Sequence, residues 1–397
     1  MERRTGASGE NAPRLSILMV HPHDLYSPQE PWTVRIRFLA EELARQGHRV
    51  ILAYHRLGAT RRQRGSGLPG VELVELGRNV SALVRNTAHL AKMARACDVV
   101  HVQKCMPHAA IPALWAAYLN RLPIHYDWDD WEYKIQDIET GGKAPGWLRW
   151  MEERLPGLVD TVSVASGLLE ALALKAGVPK DRIFRAPVGA DLVAFNPAVS
   201  GERIRARLDG AGPVVLYLGQ LHATQYVGQF LQAGKLILTR HPDARLVVVG
   251  AGWRLPELEE LASTLHIVQN VVFTGAVPYA EVPEYVAAAD VAVACFDDNE
   301  ATRAKSPLKV VEYLAAGKAI VASAVGEVQK MIDQVGVLVP AGDIPALSDA
   351  ICDLLEDPFR REELGLRARE RAERLHGWGA VAANLEQAYR RALQRPA

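Results

Sequence analysis

The sequence predicts an α/β protein of two doubly wound, Rossmann-like domains, each on a parallel sheet, and three observations carry that expectation. Short apolar runs alternate with longer helical patterns along most of the chain, as βα units on a parallel sheet require. At 397 residues the chain is long enough for two domains. The alternation breaks once, in a polar segment with Asn196, Pro197, Ser200, Gly201, Asp209, Gly210 and Gly212, and restarts at Val214.

In the first half, strands are expected near 15–20, 49–53, 71–75, 98–102, 123–127 and 160–164. The clearest helix runs over 33–46, with Thr33 as N-cap and Val34, Phe38, Leu39 and Leu43 on one face. Gly47 is placed to end it. Beyond a boundary near residue 200, strands are expected at 214–218, 245–249, 271–273, 290–294, 319–322 and 336–339. Ligands of such sheets bind beyond the carboxyl ends of the strands, which makes a cleft between facing domains the expected site.

Composition excludes several classes. Lys+Arg and Asp+Glu are both 46, so the net charge is zero and a general nucleic-acid binder is not expected. With 49% apolar and 23% charged residues the chain is ordinary for a globular protein. Cys97, Cys105, Cys295 and Cys352 are scattered without a C-x-x-C pair, which fits a reducing cytosol. The first ten residues lack the apolar core of a signal peptide. The longest uncharged stretch, between Lys104 and Arg121, is short and interrupted by Pro107 and Pro112. A cytoplasmic protein is expected, at most peripheral at the inner face of the membrane.

The densest chemical signal lies at 304–323. Ser306 is placed as a helix N-cap with Pro307 and Leu308 opening the helix. Lys309 then falls in the first turn, with Lys305 just before it. Cations there oppose the positive end of the helix dipole, by about 0.3–1 kcal/mol each. They make sense if an anion binds at that end. Glu312, one turn further, has the chemistry to accept hydrogen bonds from sugar hydroxyls. A surface helix with solvated lysines fits the spacing equally well.

Segment 306–321, SPLKVVEYLAAGKAIV, resembles the nucleotide-binding segment of family 4 of the GT-B glycosyltransferases, the glycosyl transferases group 1. Residues 38–50 (FLAEELARQGHRV), 187–197 (PVGADLVAFNP), 246–252 (LVVVGAG), 272–277 (VFTGAV) and 340–343 (PAGD) resemble the same family in the same order. The resemblance implies a GT-B fold and a retaining transfer of sugar from a nucleotide-sugar donor, a UDP- or GDP-sugar, without an obligatory metal or other cofactor. The acceptor is a glycan, a lipid-linked precursor or a small molecule. Residues 1–13 are expected to be a flexible terminus, 14–198 the acceptor domain, 199–376 the donor domain and 377–397 a helix returning to the first domain. By the same resemblance Glu312 holds the donor ribose, and Ser306, Pro307, Leu308 and Lys309 face the diphosphate. Gly219 and Gly250 line the donor site.

Two departures stand out. The family commonly carries a glutamate eight residues before the one matching Glu312, and here that position is Ala304, with Asp298 and Glu300 nearby. The arginine and lysine common after the first strand of the donor domain are absent from 219–226 (GQLHATQY). Lys305 and Lys309, with Arg303, are expected to replace them. A catalytically silent GT-B scaffold stays open on these grounds.

Other motifs have competing readings. Gly250-Ala-Gly252 suggests an NAD-dependent oxidoreductase, but Leu255 stands where the third glycine belongs. In 127–132 (DWDDWE), Asp127 or Asp129 is a candidate acceptor partner or base, and Trp128 a sugar or lipid platform. A solvated acidic turn explains that run as well. His101 is read as ending a strand, resembling a family histidine that faces the reacting sugar, or else as a buried core histidine. His21 and His23 follow the first strand and are expected to open onto the cleft, His21 as an acceptor contact, and two histidines alone do not argue for a metal. Arg35 and Arg37, after the loop 24–32, suggest a second anion site. Arg78, Arg85 and Lys92 recur every seven residues with no acid between Leu76 and Cys97, and Val80, Leu83, Val84 and Met93 offer apolar partners. That pattern fits either contact with anionic lipid or a solvated helix face.

Overall fold

The computed structural model describes residues 13–26, 33–57, 67–208, 212–222 and 226–394. Most of the expected flexible terminus 1–13, part of the loop 24–32, and residues 209–211 and 223–225 of the segments discussed above lie outside the described residues.

Two parallel sheets form. The first contains β1 (Ser16–His21), β2 (Arg49–His55), β3 (Val71–Leu76), β4 (Val99–Gln103), β5 (Ile124–Trp128), β6 (Thr161–Val164) and β7 (Ile183–Arg185), in the order β3-β2-β1-β4-β5-β6-β7. The second contains β8 (Val214–Leu218), β9 (Arg245–Val249), β10 (Val271–Phe273), β11 (Val291–Ala294), β12 (Ala319–Ser323) and β13 (Val337–Val339), ordered β10-β9-β8-β11-β12-β13. Both are doubly wound, and the strand order reverses at β1/β4 and at β8/β11, where such sheets open for ligands. Every strand expected from the sequence is present. The unexpected one, β7, is three half-buried residues, too short for a periodic signal.

Burial explains the strand sequences. Central strands of a parallel sheet are covered on both faces and read as continuous apolar runs. β8 (VVLYL) and β11 (VAVA) obey this, and every residue of β4 (VVHVQ) is buried. The edge strand β3 (VELVEL) carries two glutamates and stays largely half-buried or exposed. Register places Ile17 beside Val50 and Val99, and Val215 beside Leu246 and Val291.

The helix expected at 33–46 is Val34–Arg45, but its buried stripe is Ile36, Leu39, Ala40 and Leu43. Val34 and Phe38 are only partly covered, a rotation the i, i+3, i+4, i+7 spacing of the other set accommodates better. Thr33 occupies the N-cap position without a side-chain capping bond. Gly47 ends the helix at φ +94°, a conformation that glycine adopts without strain.

Contacts group the chain into two units. The first comprises 1–127, 158–162 and 386–397, with a core of Ile17, Leu18, Leu39 and Val100. The second comprises 128–157 and 163–385. Its core includes Val215, Tyr217, Phe230, Ile237, Val291, Val321 and Ile351. All four cysteines are buried.

Candidate functional site

In the second unit the helix Leu308–Ala315 begins later than expected. Pro307 takes the N-cap position in an extended conformation, and the Ser306 hydroxyl accepts the Val188 N–H at 3.1 Å instead of capping the helix. From Lys309 to Ala315 every residue is buried, so the lysine is not a solvated surface group. The Lys309 ammonium lies 3.9 Å from the centroid of the Tyr217 ring and 5.7 Å from that of Phe296, a cation–π arrangement. Burial pushes its pKa down to about 7, and the neighbouring charge of Lys305 adds to the shift.

Glu312 shares that face of the helix and is 2% exposed. It accepts the Tyr279 hydroxyl at 2.9 Å. Burial pushes its pKa up to about 8, against the opposing pull of Tyr279 and Lys309. Each of these groups has its charged form disfavoured by desolvation, which their contacts only partly offset. A cation and a hydrogen-bonding carboxyl are thereby held near the start of a helix whose free N–H groups favour anions.

Gly219 and Gly250 follow β8 and β9 at φ +146° and +143°. A Cβ on Gly250 would lie 1.8 Å from the Gly219 carbonyl oxygen, and one on Gly252 would lie 2.2 Å from that of Leu221. The glycines of the Gly250-Ala-Gly252 turn are therefore required by the close approach of the loop after β8. Ala304 is fully buried. Neither nearby acid is poised to replace a glutamate there: Asp298 is forked by Arg303 at 2.5 and 2.8 Å, and Glu300 pairs with Lys134 at 2.6 Å. The same fork commits Arg303, expected as a phosphate cation, to Asp298.

In the first unit two of the sequence candidates pair with each other. Arg35 forks Asp127, Nε to Oδ2 and Nη2 to Oδ1 both at 2.8 Å, with both side chains buried. Arg35 was expected to meet an anion and Asp127 an acceptor hydroxyl; the structure turns them on each other. His101 is not at a strand end, because β4 continues to Gln103. It lies mid-strand, fully buried, with Nδ1 2.8 Å from the Tyr389 hydroxyl of the helix Trp378–Leu393. Burial holds its pKa down at about 4. His21 does end β1, and its Nδ1 lies 2.7 Å from Gln103 Oε1. Burial, reinforced by His23, keeps it well below the ordinary histidine range.

Trp128 is buried, and its indole N–H donates to Glu152 at 2.9 Å, so it is not an open platform. Glu152 also accepts the Glu132 and Tyr133 N–H groups at 2.9 and 2.8 Å, anchoring the start of the helix Glu132–Glu139. Burial raises its pKa to about 8. Asp129, Asp130 and Glu132 each bring one carboxylate oxygen within 4.8 Å of the others, a grouping common on surfaces without an ion. Arg78 precedes the helix Ala82–Ala94 and faces His23 at 3.3 Å, so it does not share the face of Arg85 and Lys92. Of that helix's expected apolar partners, Val80 and Val84 are strongly exposed.

Sequence reasoning missed Tyr217, Tyr279, Glu152 and Tyr389. Tyr217 was visible only as one apolar position of β8. Tyr279 and Tyr389 come from segments remote from their partners and carried no local signal.

Comparison with known proteins agrees with this architecture. The family described as "Glycosyl transferases group 1" matches residues 212–357, and "Glycosyl transferase 4-like domain" matches residues 32–189. A GDP-mannose-dependent alpha-(1-6)-phosphatidylinositol monomannoside mannosyltransferase of Mycolicibacterium smegmatis is 29% identical over 250 residues, 60% of this chain and 65% of that protein. A D-inositol 3-phosphate glycosyltransferase of Kineococcus radiotolerans is 31% identical over 239 residues, 55% of this chain and 54% of that one. These matches span between half and two thirds of each relative's length. The sucrose-phosphate synthase of Thermosynechococcus elongatus superposes with a TM-score of 0.75 at 22% identity, covering 95% of this chain and 98% of that one, and shares its GT-B fold.

Proposed function

The chain belongs to the glycosyl transferases group 1 family, and on that premise we propose that it transfers a sugar from a nucleoside-diphosphate-sugar to a hydroxyl acceptor with retention at the anomeric carbon. The observation that carries the reading is the buried Lys309 and Glu312 one turn apart on the helix Leu308–Ala315. Maintaining both groups out of water costs stability, and the phosphates and ribose hydroxyls of a donor nucleotide are the chemistry that a cation and a carboxyl so placed would recognise.

In this reading Glu312 meets the donor ribose. Because its carboxyl titrates near 8, it is largely protonated at neutral pH and both donates and accepts hydrogen bonds. Lys309 and Lys305, with the N–H groups opening the helix, meet the diphosphate. The bond from the anomeric carbon to the diphosphate oxygen breaks and that oxygen leaves on the nucleoside diphosphate. The acceptor oxygen bonds to the same carbon and its proton passes to the departing diphosphate. The cations and helix dipole stabilise charge growing on the leaving group. Arg35 and Asp127, forked on each other, hold the strands of the first unit, while His101 bonds Tyr389 through Nδ1 and keeps a buried Nε2 without a hydrogen-bond partner, which suits it to face the reacting sugar.

The donor is a UDP- or GDP-sugar, GDP-mannose being the donor in the name of the mycobacterial relative. The acceptor is a glycan, lipid-linked precursor or small molecule. The relatives' names favour an inositol-containing or lipid-linked polyol. Ala304 supports a second reading, a silent scaffold. Titration calorimetry with UDP, GDP, CDP, dTDP, ADP and NAD separates them. Binding of one nucleoside diphosphate, lost in Glu312→Ala, is expected; binding of none overturns the transferase reading and leaves the scaffold, and binding of NAD alone favours an oxidoreductase.

A further inference from the structure

We propose that the helices Ala82–Ala94 and Pro107–Asn120 together form a docking face for an anionic lipid bilayer, held by Arg85 and Lys92 and entered by Trp115, Tyr118 and Leu119. The face stands on its own observations, whether or not the donor site does. The two helices pack side by side: small buried residues such as Ala109, Ala113 and Ala116 line the inner side of the second helix, and Asn120 Nδ2 donates to the Ala91 carbonyl at 2.9 Å. What remains outside is unusually apolar. Val84 is 79% exposed, Trp115 51%, Tyr118 75% and Leu119 60%. The Trp115 and Tyr118 rings meet edge to face, with centroids 5.7 Å apart. Single exposed apolar residues are ordinary, but an aromatic pair with an adjoining leucine is a patch.

Charge identifies the occupant. From Leu76 to Tyr126 the only acid is Asp98, although 46 acids in 397 residues would put about six there. Asp98 is occupied with the Ser16 N–H at 2.7 Å. Both helices are therefore acid-free, while Arg85, Lys92, Arg95 and Arg121 lie exposed on or next to them. Basic side chains beside Trp and Tyr match a headgroup region in front of an acyl layer. Among the described residues no helix is long and apolar enough to cross a membrane, so the contact is superficial.

Sedimentation with phosphatidylcholine vesicles, with and without phosphatidylglycerol, tests the face. The full chain is expected to sediment with anionic vesicles and be released by high salt. Replacing Arg85→Gln with Lys92→Gln weakens partition about 25-fold, taking roughly fivefold per basic residue. Trp115→Ala with Leu119→Ala weakens it about tenfold, from the lost apolar area. Equal recovery in the supernatant with and without anionic vesicles overturns the proposal, as does binding that neither pair changes. A vesicle-free dimer that Tyr118→Ala dissolves also overturns it, assigning the face to a second copy. Nucleoside-diphosphate titration of the same variants is expected to match wild type, which shows that they fold and separates failure here from failure of the donor site.

Discussion

The Arg35–Asp127 pair of the first unit and the helix Leu308–Ala315 of the second both bury charge, but they settle it in opposite ways. In the first unit Arg35 and Asp127 satisfy each other through two bonds of 2.8 Å, while His21 and His101 each bond through Nδ1 and are, like the pair in the second unit, pushed toward the neutral form by burial. In the second, Lys309 lies over aromatic rings and Glu312 holds one tyrosine hydroxyl, and burial shifts both pKa values toward the neutral form. Titratable groups strained by desolvation in this way mark functional sites more often than mutually neutralised ones do. Buried charge is therefore a poor pointer to function until its partners are known.

Four experiments break or sharpen that contrast. The largest effect belongs to Asp127→Ala, which leaves Arg35 buried without its carboxylate. A loss of about 3–5 kcal/mol is expected, read as a fall in melting temperature of roughly 10 °C for a domain of this size. Full stability with abolished turnover would instead return Asp127 to the chemistry. Lys309→Met is expected to behave inversely. Removing a desolvated ammonium leaves the melting temperature unchanged or higher, while the lost charge-assisted contact, about 1.5–3 kcal/mol, weakens nucleoside-diphosphate binding roughly 10–150-fold by calorimetry.

The third experiment is a pH profile. Lys309 titrates near 7 when the site is empty, and a bound diphosphate stabilises its protonated form. Donor affinity should be level below about pH 7 and fall by at most tenfold per unit above it, a slope linkage sets. The Lys309→Met profile should lack that fall; an equal slope in both proteins would remove Lys309 as its source. The fourth concerns Glu312→Gln. A folded-state pKa of about 8, above the ordinary 4.5, means that wild type loses stability as pH rises from the lower value through the higher one. The glutamine variant escapes that loss, so scanning calorimetry should show its melting temperature higher at about pH 9, by up to roughly 10 °C, and nearly equal at about pH 4.

Much of this was legible before the structure. Runs such as VVLYL and LVVV announce doubly covered parallel strands, because burial on both faces leaves no polar alternation. The helix carrying Lys309 and Glu312 was visible in its proline, apolar face and terminal glycine. What failed was local inference about side-chain partners. Ser306 had the chemistry of a cap, but the Val188 N–H, 118 residues away, claimed its hydroxyl. Trp128 had the chemistry of a platform until Glu152 took its indole N–H.

The sequence by itself determined the α/β class, the positions of the strands and the family, since hydrophobic period and turn chemistry act over a few residues and motifs are read in order along the chain. Only the tertiary structure decided which charges are spent on holding the fold and which are held in reserve. Tyr217, Tyr279 and Tyr389 meet Lys309, Glu312 and His101 across 92, 33 and 288 residues of chain. Desolvation, which sets the protonation of all three titrating groups, depends on everything packed around them and so has no local signature.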